Sequence, residues 1–170
     1  NASNLKLQIL STKQSILNIA KSTINMESEA IANLAQLLDD DFADAVQLIY
    51  NSKGRVIITG IGKSAIIANK IVATLNSTGT PAIFMHAADA IHGDLGLILK
   101  DDVVVCISKS GNTPEIKVLV QLINNGPNKM IAITGNKDSF LAQRADYILN
   151  AYVEKEACPN NLAPTTSTSA

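Results

Sequence analysis

The chain lacks an excess of charge of either sign: 14 Lys and Arg stand against 15 Asp and Glu, a net charge of −1 over 170 residues. No basic surface is available to nucleic acid or to an anionic membrane, so an anionic ligand must be held by local geometry rather than by a general field. Cysteine is scarce. Cys106 and Cys158 are too few for a disulfide framework, and no C-x-x-C motif or Cys/His cluster accompanies them, so no metal is expected. Cys106 sits inside an apolar run and reads as a buried thiol, Cys158 in a polar context as a partly exposed one. The N-terminus lacks the basic-then-apolar pattern of a secretory signal, and no apolar run is long enough to span a membrane. A cytoplasmic protein with no membrane segment is therefore expected. Glycine and proline are missing from the start of the chain, where Gly54 is the first glycine and Pro81 the first proline.

What is present is an ordinary globular balance, 46% apolar and 17% charged, at a length that suits one domain. Before Gly54 the pattern is helical: Ile16, Ala20, Ile24, Ile31, Leu34 and Leu38 recur on one face, and a second helix runs from Phe42 to Tyr50. This arm, residues 1–50, either packs on a second subunit or covers its own core. From residue 54 onward short β-branched runs alternate with helical stretches. Strands are expected at 55–59, 82–86, 103–108, 130–134 and 147–151, helices at 63–76, 114–125 and 139–144, and a short polar element at 87–92. Strands that are apolar throughout are buried on both faces, as in a parallel sheet. The expected fold class is α/β: a three-layer sandwich on a five-stranded parallel sheet with an N-terminal helical arm. Ligands of such sheets bind beyond the carboxyl ends of the strands, which is where the polar motifs fall.

After the first strand comes "GIGKSA", residues 60–65. It fits a dinucleotide fingerprint, but that motif needs an acidic residue ending the second strand, where Phe84-Met85-His86 stands. A Walker A loop is excluded because Ile57 occupies its first glycine position. What remains is a tight glycine turn at Gly62, with Lys63 and Ser64 opening a helix whose free N–H groups suit an anion. "SKSGNTPEI", residues 108–116, repeats this logic after the third strand. Gly111 permits a left-handed turn, Thr113 suits the N-cap and Pro114 the first helical position. Capping accounts for Thr113 and Pro114 but not for Ser108, Ser110 and Gly111 together, which suit a phosphate monoester. Glu115 falls in the first turn, where the helix dipole favours a carboxylate in any case. His92, in "AIHGDLG", can donate to a ligand oxygen, whereas His86 reads as structural. After the fifth strand, Glu156 in "EKEACP" is either a solvated charge or a base, and Thr166 and Ser167 add hydroxyls at a further helix start.

Together, "GIGKS", "HGDLG", "SKSGNTPEI", "ITGN" and "EKEACPNNLAPTTST" resemble the sugar isomerase (SIS) domain, with its flavodoxin-like sheet, and more narrowly the D-arabinose 5-phosphate isomerases of Kdo biosynthesis. The resemblance implies cofactor-free interconversion of arabinose 5-phosphate and ribulose 5-phosphate by a homotetramer. It places Lys63, Glu115, Glu156 and His92 on catalytic positions. Glu156 or Glu115 is then the proton shuttle and Lys63 the electrostatic stabiliser, while Gly62, Ser64, Ser108, Ser110, Gly111, Asn112, Thr113, Thr166 and Ser167 bind the substrate and its phosphate. Lys109 and Asn112 depart from the family's Asn and Glu, which is expected to tune sugar contacts. Family members continue into further helices and a Ser-His-Pro-Gly-Gly segment, and many carry paired CBS domains. None of these lies within the 170 residues, so C-terminal helices are expected to be missing. An end product, Kdo or its nucleotide-activated form, is the expected inhibitor. Two other readings share the phosphate loops: a non-catalytic sugar-phosphate sensor, and an isomerase of another phosphosugar.

Overall fold

The computed structural model describes residues 12–170, so the start of the expected arm lies outside the described residues. The described residues divide into two compact units: residues 34–152, and residues 12–33 together with Val153–Ala170. Among the described residues no helix is long and apolar enough to cross a membrane.

The larger unit holds five parallel strands in the order β2-β1-β3-β4-β5. They are β1 (Val56–Gly60), β2 (Ala82–His86), β3 (Val103–Ile107), β4 (Met130–Thr134) and β5 (Tyr147–Asn150). Central strands β1 and β3 are buried at every residue, as their unbroken apolar runs require. Successive side chains enter opposite cores. Ile57, Val104 and Cys106 pack with Ile116, Leu119, Val120 and Leu141 on one face. Val56, Ile58, Val103 and Val105 pack with Ala45, Ala68 and Val72 on the other. Two cores around one sheet give the three expected layers.

Helix α1 (Lys13–Leu34) buries none of its residues, and α2 (Asp40–Asn51) buries Ala45. Although the sequence pattern assigns it to the arm, α2 belongs to the sheet unit. Its Asp41 carboxylate accepts from Ile148 N at 2.8 Å, so an edge-strand N–H that would otherwise be open is satisfied. Helix α3 (Lys63–Ser77) follows β1, the single turn α4 (Ala87–Ala90) follows β2, and α5 (Pro114–Asn124) follows β3.

Most element ends fall within one or two residues of expectation, and two of the differences have a clear physical cause. The helix expected at 139–144 is only a 3-10 turn, Ala142–Arg144. Its Leu141 N–H goes to the Gly111 carbonyl at 3.1 Å, which ties the start of the stretch to the β3–α5 loop. Arg55 lies outside β1 because Asp102 takes it: Arg55 N donates to Oδ1 at 2.7 Å and Nη2 to Oδ2 at 2.6 Å. The buried Asp102 also accepts from Leu99 N at 2.8 Å. Burial opposes its charge, but the Arg55 guanidinium and the N–H groups of Arg55 and Leu99 outweigh that and hold its carboxyl below the usual range. Cys106 is fully buried as expected, and burial pushes its thiol up to about 12.

Candidate functional site

The register brings the carboxyl ends of the first three strands side by side, with Gly60 facing His86 of β2 and Ile107 of β3. The strand order reverses direction between β1 and β3, the switch point at which ligands of open α/β sheets bind. Three loops rise from this edge. The β1–α3 turn carries Gly62, Lys63 and Ser64. The stretch after β2 carries His92, and the β3–α5 loop carries Ser108, Ser110, Gly111, Asn112, Thr113 and Glu115. Ten of the residues singled out in the sequence therefore gather on one edge of one sheet.

Gly62 precedes α3 with φ 58° and ψ −126°, a conformation L side chains avoid, and leaves Lys63 exposed in the first turn. Gly111 has φ 63°, and a Cβ there would collide with the buried Ser139 side chain. Its N–H donates to Ser108 Oγ at 3.1 Å, which folds the loop back on itself. Asn112 N points to Ser110 Oγ at 3.4 Å. Thr113 occupies the N-cap of α5 as expected, but its hydroxyl makes no cap bond. Its Oγ1 is buried without a hydrogen-bond partner among the described residues, at the positive end of an 11-residue helix. Such a group is costly unless a ligand or water completes it. Glu115 is half-buried one residue into the same helix, with no hydrogen-bond or ion-pair partner among the described residues. His92 is exposed in the turn after α4. His86 caps α4 by accepting from Ala88 N at 3.3 Å, the structural role its sequence context suggested.

In the second unit, Glu156 is 4% exposed and so is not a solvated charge. Its carboxylate accepts from Thr165 N at 2.8 Å, Ser167 N at 3.1 Å and the hydroxyls of Thr165 and Ser167. Charge-assisted bonds of this kind fix the start of the last turn, α6 (Thr166–Ser169). Thr166 is buried and its Oγ1 accepts from Ala157 N at 2.9 Å. Of the hydroxyls read as phosphate-facing, Ser167 Oγ donates to the Glu156 carboxylate and Thr166 Oγ1 accepts from Ala157 N, both inside this unit. Sequence patterning could not show this, because it rests on pairs about ten residues apart across an irregular loop.

A cleft of about 440 Å³ opens at the other, amino end of the sheet, lined by Asp44, Gln47, Lys100, Asn128, Lys129 and Tyr147 among others. Several of its polar groups are already satisfied: Lys129 pairs with Asp146 at 2.6 Å, and Asn128 donates to Leu99 O at 2.7 Å and Asp102 O at 2.9 Å. Size alone does not make it the site.

The fold and the loops define a doubly wound α/β domain with glycine- and hydroxyl-bearing loops at its switch point. The chain belongs to the SIS domain family, whose pattern matches residues 48–170. Its relatives include the probable arabinose 5-phosphate isomerase of Haemophilus influenzae, 48% identical over 94% of this chain and 47% of that one. The arabinose 5-phosphate isomerase KdsD of Pseudomonas aeruginosa is 47% identical over 94% of this chain and 49% of its own length. The chain thus spans about half the length of these curated relatives. A solved Escherichia coli CFT073 protein in complex with arabinose 5-phosphate superposes with TM-score 0.88 at 36% identity, covering 92% of this chain and 84% of that one.

Proposed function

We propose that the protein is a cytoplasmic aldose–ketose isomerase that interconverts D-arabinose 5-phosphate and D-ribulose 5-phosphate through a cis-enediol, the first step of Kdo biosynthesis, and needs no cofactor. The observation that carries the reading is the unpartnered, buried Thr113 hydroxyl at the N-terminus of α5. It lies in a serine–glycine loop that shares a sheet edge with Lys63 and Glu115. The names of the relatives at 47–48% identity support the choice of sugar.

In this mechanism the hydroxyls of Ser64, Ser108, Ser110 and Thr113 and the N-terminus of α5 hold the phosphate, fixing C1 and C2 in place and removing much of the entropic barrier. Glu115 carries the proton between C1 and C2. Unlike Glu156, it is not already committed to hydroxyls and backbone N–H groups. Lys63 stabilises the negative charge that builds on the carbonyl oxygen, and His92 donates to a sugar oxygen.

The test is to incubate the protein with arabinose 5-phosphate in deuterated water and follow the sugar by NMR. Ribulose 5-phosphate should form with solvent deuterium entering at C2 on return to the aldose. Binding without exchange would instead favour a sensor, and exchange confined to another sugar phosphate would move the substrate. Inhibition competitive with substrate by Kdo or its nucleotide-activated form is the regulation we propose, and noncompetitive or absent inhibition would remove it.

We also propose a homotetramer. Ile16, Leu17, Ile24 and Ile31 of α1 are 48–66% exposed, and Phe42, Val46 and Tyr50 form an exposed stripe on α2 at four-residue spacing. Light scattering at micromolar concentration should give four times the chain mass, and a monomer would contradict the assembly.

A further inference from the structure

The loop of residues 108–113 leans on a stretch to which the sequence assigned no chemistry, the β4–β5 connection. Three links join them. The Lys109 carbonyl accepts from Gly135 N at 3.1 Å and Thr134 Oγ1 at 3.3 Å, and the Gly111 carbonyl accepts from Leu141 N at 3.1 Å. The third link is a side chain: Asn112 Oδ1 accepts from Phe140 N at 3.0 Å, while its Nδ2 donates to Ser110 O at 3.1 Å. The far side of the clamp is itself fixed. Ser139 is fully buried, its Oγ accepts from Ala142 N at 3.2 Å, and it packs on Gly111. The Phe140 ring lies 3.6 Å from the Arg144 guanidinium, and Lys117 of α5 reaches it at 5.8 Å.

We propose that Asn112 is a positioning residue: its amide clamps Ser110 to the β4–β5 connection and so sets the shape in which the Ser108–Thr113 loop receives an anion. This rests on the phosphosugar reading above and replaces the expectation that Asn112 touches the sugar. The amide's oxygen and one of its N–H groups are engaged within the protein, which holds the side chain in place at both of its polar ends. Without the clamp, the Phe140 N–H and the Ser110 carbonyl turn to water, and Ser110 and Gly111 gain freedom. Several hydrogen bonds to one phosphate then weaken together, because each depends steeply on distance and angle. Every ligand that shares the phosphate loses affinity by the same factor, whatever sugar it carries. A residue that touched a sugar hydroxyl would weaken only ligands carrying that hydroxyl.

The experiment is calorimetric titration of wild type, Asn112→Ala and Ser139→Ala with two probes, inorganic phosphate and arabinose 5-phosphate, with thermal melts confirming that each variant folds. The clamp predicts that Asn112→Ala raises both dissociation constants by one common factor, about 5- to 10-fold. Ser139→Ala, altered where no ligand reaches, should shift both in the same direction, and in turnover the loss should fall on KM rather than kcat. Weakened sugar-phosphate binding with phosphate unchanged overturns the proposal, as does no change with either probe. Wild type that binds the sugar phosphate but not phosphate at tens of millimolar also overturns it, since the loop then supplies no anion affinity to position. Wild type that binds neither probe overturns the phosphosugar reading, and this inference falls with it.

Discussion

Replacing Glu115 by glutamine is expected to lower turnover of arabinose 5-phosphate by about 10²- to 10⁴-fold, the usual contribution of a positioned general base. Glutamine keeps the size and hydrogen-bonding reach of the side chain but cannot take a proton from carbon. Because Glu115 sits in the first turn of α5, losing its charge also costs about 0.5 kcal/mol of helix–dipole stabilisation. That is small enough for the fold and the dissociation constant to survive, so the loss should appear in kcat. Lys63→Met should produce a loss of similar kind at the neighbouring turn, through the oxyanion rather than the proton. If Glu115→Gln retains kcat within threefold, the proton shuttle is another group, and Glu156 becomes the residue to change next.

The second large effect is on stability and lies at the opposite end of the sheet. Asp102→Ala should destabilise the protein by about 3 kcal/mol, the low end for breaking a buried pair because the Arg55 side chain keeps 28% exposure. The substitution leaves the Arg55 guanidinium without its carboxylate, and the backbone N–H groups of Arg55 and Leu99 without their acceptor. At this chain length the melting temperature should fall by about 6–12 °C. Asp102 also gives the stability a direction in pH. Its carboxyl titrates lower in the fold than its ordinary 3.8, so the unfolded chain binds the proton more readily. The contribution is complete above the ordinary value and drains away as pH falls through the folded one. Denaturant titrations between pH 7 and pH 3 should therefore show an acid-side loss in wild type that is shallower in Asp102→Ala. Equal slopes in both proteins would mean that Arg55 and Asp102 are not coupled in solution.

Much of the sheet and its loops could be read in advance because they are encoded locally. Unbroken apolar runs such as 103–107 announce strands buried on both faces, and a glycine shortly before a threonine–proline pair announces a turn into a helix. The same locality placed Lys63, His92, Ser108, Thr113 and Glu115 beyond the carboxyl ends of β1, β2 and β3. What escaped was whatever rests on partners distant in sequence. Arg55 and Asp102 are 47 residues apart, and nothing local marks either as half of a pair. The apparent helix at 139–144 has helical composition, but the Gly111 carbonyl claims one of its N–H groups. Glu156 stands in a charged tripeptide that advertises exposure, yet hydroxyls nine and eleven residues later enclose it. Asn112 stands in a loop read as phosphate-binding, and nothing local shows that its amide turns toward Phe140.

The central claim is that this domain receives a phosphorylated sugar at the carboxyl edge between β1 and β3. The most direct measurement is a crystal structure of the protein with arabinose 5-phosphate. It should show the phosphate within hydrogen-bonding distance of the Ser108–Thr113 loop, with the Thr113 hydroxyl among its donors and the sugar carbons beside Lys63 and Glu115. A phosphate seated instead in the amino-end cleft by Lys100 and Lys129, with the Thr113 hydroxyl still unpartnered, would contradict it.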